Sequence, residues 1–143
     1  MLGQVRPETN DFAGADLCLY VCITCRASGA PDDEIRPGLR LYRALSAALA
    51  RAGEAAPPVR IESVECLSVC KRPCTVALTS PARWTYVYGD LDPEASIGAI
   101  LDGLRRYAAT LDGIVPWRER PEIFRKGVVA RIPPSPLIAS ERP

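Results

Sequence analysis

The chain has 143 residues, enough for one domain with a hydrophobic core and little room for a second. With 48% apolar and 24% charged residues it has the balance of an ordinary globular protein. Eighteen basic residues against seventeen acidic leave a formal charge of +1 without a basic stripe, which argues against nucleic acid as a partner. No run approaches the roughly 20 apolar residues that span a bilayer, and the first residues lack the apolar segment of a signal peptide. A cytoplasmic location is therefore expected, where structural disulfides are rare.

In chain order, residues 1–15 read as a polar N-terminal arm. Leu17-Cys18-Leu19-Tyr20-Val21-Cys22 is nearly continuous apolar sequence, the pattern of a central strand covered on both faces. Residues 26–37 form a polar loop. A helix follows, with Leu41, Leu45, Ala48, Leu49 and Ala52 at helical spacing, Pro37 in its first turn and Gly53 as its cap. Val59 to Ser63 alternates apolar and polar, predicting a half-buried strand at a sheet edge. Residues 75–79 and 84–88 form a hairpin turning at Ser80-Pro81-Ala82-Arg83. Asp92 caps a second helix with Pro93 just inside it and a stripe of Ile97, Ile100, Leu101, Leu104, Ala108 and Leu111. Gly98 and Gly103 each weaken that helix by about 1 kcal/mol relative to alanine. Gly113 ends it.

The order strand–helix–strand–strand–strand–helix predicts an α/β, thioredoxin-like domain over 16–113, a mixed four-stranded sheet with helices packed on it. The first two strands are parallel through a right-handed helical crossover, and the later pair is antiparallel. Residues 114–143, rich in proline and arginine, are expected to form an irregular C-terminal extension without a core of its own. Its apolar Trp117 and Ile123-Phe124 argue for docking on the domain rather than a loose terminus.

The cysteines carry the chemistry. Six of them fall in two groups, at 18, 22 and 25 and at 66, 70 and 74, and histidine is absent. In a reducing compartment such clustering points to metal or thiol chemistry. Cys22 and Cys25 follow the first strand; Cys66 and Cys70 follow the second. Parallel strands bring both groups to the carboxyl end of the sheet, where open α/β sheets place their ligands. Four converging thiolates repel unless a cation binds them, and thiolate is a soft donor for zinc, Cu(I) or an iron–sulfur cluster. Cys22-Ile-Thr-Cys25 alone is unspecific. Cys66-Leu-Ser-Val-Cys70 has a spacing unusual for a zinc knuckle, and the pair of groups departs from the plant-type ferredoxin spacing. Four cysteines meet the ligand count of a [2Fe–2S] cluster.

Cys18 alternates along its strand and reads as a buried apolar residue. Cys74 reads as core, with a role as fourth ligand in place of Cys25 as the alternative. Arg26, Lys71 and Arg72 flank the ligands, where they offset cluster charge and dock an acidic partner or are simply solvated. Trp84, Tyr86 and Tyr88 read as packing residues rather than an electron relay.

Over about residues 16–112 the chain resembles the thioredoxin-like [2Fe–2S] ferredoxins and the related small cluster-bearing subunit of NADH dehydrogenase. The resemblance rests on the strand ending in Cys22, the Cys66-Leu67-Ser68-Val69-Cys70 loop, Pro73 with the strand behind it, Trp84-Thr85-Tyr86-Val87-Tyr88-Gly89 and the final helix. More narrowly, the chain is similar to an uncharacterised bacterial family of predicted metal-binding proteins, often encoded near cobalamin-synthesis genes. The resemblance implies a [2Fe–2S] cluster on Cys22, Cys66 and Cys70, one-electron transfer with no substrate chemistry, and corrin-related redox support. The ferredoxins place their second cysteine further along, near the first helix; Cys25 is the nearest replacement here. The implied partners are a reductase and an acceptor protein, with a homodimer as an alternative to a monomer and neither nucleic acid nor membrane. The competing readings are a Cys₄ zinc or metal-trafficking module and a thiol–disulfide oxidoreductase using Cys22 and Cys25.

Overall fold

The computed structural model describes residues 17–25 and 35–136. The arm over 1–15, residues 26–34 of the polar loop with Arg26, and residues 137–143 lie outside the described residues. The elements in chain order are β1 (Leu17–Cys22), α1 (Pro37–Ala52), a 3₁₀ turn (Gly53–Ala55), β2 (Val59–Val64), β3 (Val76–Thr79), β4 (Thr85–Tyr88), α2 (Ile97–Ala108), a second 3₁₀ turn (Trp117–Glu119), α3 (Glu122–Lys126) and β5 (Val128–Ile132).

One sheet runs in the order β2-β1-β3-β4-β5. β1 and β2 are parallel, with Leu19 opposite Ile61 and Cys22 opposite Val64, and β2 lies at the edge as its alternation predicts. β3 runs antiparallel to β1, placing Val76 beside Val21, and β4 pairs antiparallel with β3. The register aligns Leu17, Leu19, Val21, Val76, Leu78, Tyr86 and Tyr88 on one face, where Leu41 and Leu45 of α1 and Ile100, Leu104 and Tyr107 of α2 complete the core. α1 begins on Pro37 and ends where Gly53 takes φ 56°, as expected. Asp92 Oδ1 accepts from the N–H groups of Glu94 (2.9 Å) and Ala95 (2.6 Å), capping the turn that leads into α2.

β1 is not covered on both faces by described residues. Cys18 and Tyr20 point away from the helices and are only half buried, so Cys18 is not a core residue. Its apolar neighbours alternate inward, and strict period-two geometry sends it to the opposite side. Leu111 also falls outside its expected stripe: α2 ends at Ala108, leaving Leu111 96% exposed.

The largest departure is at the C-terminus. The sheet has five strands where four were expected, because residues read as irregular pair antiparallel with β4, Val87 opposite Ala130 and Tyr88 opposite Val128. The segment is held by packing that no local pattern encodes. Phe124 stacks face to face on Tyr88, centroids 3.9 Å apart, and fills a space above Gly103 that a β-carbon would invade at 2.1 Å. Gly103 is thus the gap that receives Phe124, and not simply a weak helix residue. Arg120 donates to Val115 O at 2.8 Å and lies over the rings of Tyr86 and Trp117, each 5.6 Å away. Arg131 covers Trp84 at 4.8 Å.

Candidate metal centre

β1 and β2 end, and β3 begins, at one rim of the sheet. Cys22 N–H donates to Thr75 O (3.1 Å) and Ile23 N–H to Val64 O (2.9 Å), stitching the end of β1 to both neighbours. The chain then turns through Ile23 and Thr24 to Cys25. Both cysteines of this turn are buried, at 4% and 6% exposure. α1 returns to the same turn: Gly38 N–H donates to Cys25 O at 3.2 Å, so the first turn of the helix seals the cysteine pair from inside. Although residues 26–36 separate Cys25 from α1 in the chain, the first turn of the helix stands directly beside the pair.

The second cysteine group lies alongside. Cys22 Sγ is 3.7 Å from Glu65 O, and Thr24 Oγ1 donates to the same carbonyl. Cys66 is the next residue, its sulfur accepting from Ser68 N–H at 3.2 Å. Ser68 takes φ 62°, a conformation costly for a side-chain-bearing residue, as the loop bends around that sulfur. Cys66 and Cys70 are exposed, and all six cysteines are free thiols. Among the described residues, no three thiol or carboxylate groups are gathered closely enough to hold a metal ion. The rim therefore brings Cys22 and Cys25 together and sets the loop carrying Cys66 and Cys70 against Cys22, without gathering all four sulfurs.

The buried pair is electrostatically split. Against the opposing effect of burial, hydrogen bonds from Cys25, from the Thr24 hydroxyl and N–H, and from Leu67 N–H hold the Cys22 thiol below its ordinary value. Burial, reinforced by its hydrogen bond to Cys22, pushes Cys25 up. Of the two thiols, Cys22 gives up its proton the more readily.

Cys74 stands apart, in the hydrophobic core at 2% exposure. Burial pushes its thiol up to about 11. An unfolded thiol titrates near about 8.5, so the folded state retains a proton that the unfolded state loses. The resulting stability is fully present below about pH 8.5 and is lost as pH rises towards about 11. The melting temperature should fall across that window, and Cys74→Val should flatten the decline; an identical alkaline profile in the variant would exclude Cys74 as its source.

Sequence reasoning missed the groups that serve these sulfurs through the backbone. Gly38 presses on the Cys22–Cys25 turn, Glu65 O and Leu67 N–H reach Cys22, and Thr75 reaches Cys25. Only Gly38 leaves a trace in the sequence, a glycine in the first turn of a helix. Arg72, read as a charge beside the ligands or a solvated side chain, instead pairs with Asp90 at 2.8 Å. Lys71 is exposed.

A family model described as "Protein of unknown function (DUF1636)" matches residues 19–134. No curated protein matches the chain. Among solved structures, it is similar to a thioredoxin-like [2Fe–2S] ferredoxin from Aquifex aeolicus, at 15% identity and TM-score 0.54, covering 82% of this chain and 93% of that one. A Cys-to-Ser variant of the Aquifex aeolicus ferredoxin matches at 14% identity and TM-score 0.51, covering 80% of this chain and 98% of that one. The fold is thioredoxin-like. No helix among the described residues is long and apolar enough to cross a membrane.

Proposed function

The chain belongs to the DUF1636 family, and from that premise and the geometry of the rim we propose that it is a one-electron carrier holding a [2Fe–2S] cluster on Cys22, Cys25, Cys66 and Cys70. The observation that carries the reading is the approach of Cys22 Sγ to Glu65 O at 3.7 Å, which joins the two cysteine-bearing turns at one rim. The likeness in fold to a [2Fe–2S] ferredoxin supports it.

The donor set fits the group. It offers thiol sulfur and no imidazole, and two of the sulfurs already accept hydrogen bonds from backbone N–H groups, Cys22 from Leu67 and Cys66 from Ser68. Cys66 and Cys70 are exposed on the outer side of the rim, beside the buried pair. When bound, the cluster supplies one reversible electron-transfer step. Hydrogen bonds at Cys22 hold its thiol below the ordinary value, and the first turn of α1 covers the inner side of the pair. The N–H groups of Leu67 and Ser68 would offset negative charge on the sulfurs of a bound cluster and so raise its potential. The outer side, at Cys66 and Cys70, faces solvent and is where a reductase and an acceptor protein would meet the centre.

Protein purified without oxygen should be red-brown, contain about two iron and two sulfide per chain, and give an EPR signal on one-electron reduction. Colourless protein with stoichiometric zinc would eliminate the carrier in favour of a zinc module.

A second reading is favoured by the contact of Cys22 with Cys25 beside the start of α1: a thiol–disulfide couple. The Cys22 thiolate would attack a substrate disulfide, Cys25 would then displace the second sulfur, and two electrons and two protons would pass to the substrate as the pair closes to a disulfide. Turnover of a disulfide substrate that survives Cys66→Ser and Cys70→Ser would select this reading.

A further inference from the structure

We propose that Arg72 is a positioning residue, fixing the cysteine-bearing loop by tying it to the C-terminal segment 122–128. Its relevance to a bound centre rests on the carrier reading; the tie itself is a matter of geometry. Arg72 lies between Cys70 and Cys74 and faces two separate stretches of chain, at Asp90 and at 126–128. Its Nε donates to Asp90 Oδ2 at 2.8 Å, one terminal nitrogen donates to Lys126 O at 3.2 Å, and the other reaches Val128 O at 3.5 Å. Its backbone is engaged as fully. Arg72 N–H donates to Val69 O (3.0 Å), closing the turn that holds Cys70, while Arg72 O accepts from Asp90 N–H (2.9 Å) and from the Thr75 hydroxyl (3.1 Å).

The junction is also tight. A β-carbon at Gly89 would stand 2.7 Å from Arg72 O and 2.9 Å from Arg72 Cβ. One at Gly127 would stand 2.7 Å from Gly89 O, and Gly89 N–H donates to Gly127 O at 2.8 Å. Loop, end of β4 and the turn between α3 and β5 thus stack at van der Waals distance through two glycines. A planar guanidinium can serve an acid and two carbonyls at once, and an ammonium cannot reproduce that fork. A merely solvated arginine would not place its guanidinium on one carboxylate and two main-chain carbonyls.

Hydrogen–deuterium exchange on the full-length, metal-free protein tests the tie. In Arg72→Gln, amides of 69–74 and of 122–128 should exchange together about tenfold faster while β1 and α1 keep their wild-type rates. Arg72→Lys should fall between the two, and Asp90→Asn, which keeps the arginine, should move both segments in the same direction by less. After cluster reconstitution, iron should leave Arg72→Gln to a chelator about tenfold faster than it leaves wild type, with an altered EPR line shape. Exchange at 69–74 within about twofold of wild type, with only 122–128 loosened, would overturn the proposal. Should wild type acquire no cluster, the carrier reading fails and the exchange result alone judges the tie.

Discussion

Replacing Gly38 with alanine is expected to cost about 3 kcal/mol or more and to lower the melting temperature by about 10 °C. The added methyl group would stand 2.0 Å from the Cys22 carbonyl oxygen, 3.1 Å from its carbon and 3.2 Å from Cys25 N. All three are backbone atoms, so no rotamer change relieves the overlap. Nor can the helix swing aside, since Gly38 N–H is bonded to Cys25 O and Leu41 and Leu45 of the same helix are fully buried. The strain would fall on the turn that carries the buried sulfurs. Gly98 supplies the control: a β-carbon there meets nothing within 4 Å, and Gly98→Ala should be neutral or stabilising by up to about 1 kcal/mol. Thermal melts of the two variants decide the matter. A Gly38→Ala protein melting within about 2 °C of wild type would show that α1 does not approach the cysteine turn so closely.

Cys22→Ser should lower iron content and visible absorption by at least about tenfold, the largest effect of any single cysteine change. Cys22 is the sulfur that sits between the two turns, its thiol held below the ordinary value and contacted by the Glu65–Leu67 backbone. Hard hydroxyl oxygen is a poor substitute for soft sulfur on iron. Cys66→Ser and Cys70→Ser should follow it, whereas Cys18→Ser, changed on the sheet face away from the helices, should keep the wild-type spectrum. The choice of fourth ligand falls between Cys25, buried on the rim beside Cys22, and Cys74, packed in the core. Cys25→Ser should lose the centre and Cys74→Ser retain it. Equal iron in wild type and Cys22→Ser would place any centre elsewhere.

The parts of this fold legible in the sequence are those whose burial follows local periodicity. The alternation of Val59 to Ser63, the helical spacing of Leu41, Leu45 and Ala48, and the turn residues at 80–83 each specify an element before any tertiary contact exists. The parallel pairing of β1 and β2 then follows from the helix between them, and with it the meeting of the cysteine groups at one rim. β5 was not legible. Its segment is stable because Phe124 finds the gap over Gly103 and the ring of Tyr88, and because Arg72 and Arg120 bind carbonyls and rings remote in sequence. The five-residue α3 is too short to hold itself together and shows no periodicity to read. The close approach of Gly38 to Cys22 escaped for the same reason: a glycine announces space, but not what fills it.

The rim where β1 and β2 finish and β3 starts has one more consequence. Cys25, Cys66 and Cys70 stand on the two crossings that follow β1 and β2, and Cys22 is the last residue of β1; none of the four belongs to the apolar cluster of Leu19, Leu78 and Leu104. Reactivity and foldability are therefore separable inheritances: ligand spacing can be re-cut in a crossing while the interior is left alone, and the interior can drift in sequence while the crossings stay in place. A scaffold divided in this way can be kept by proteins that have lost almost all identity with one another.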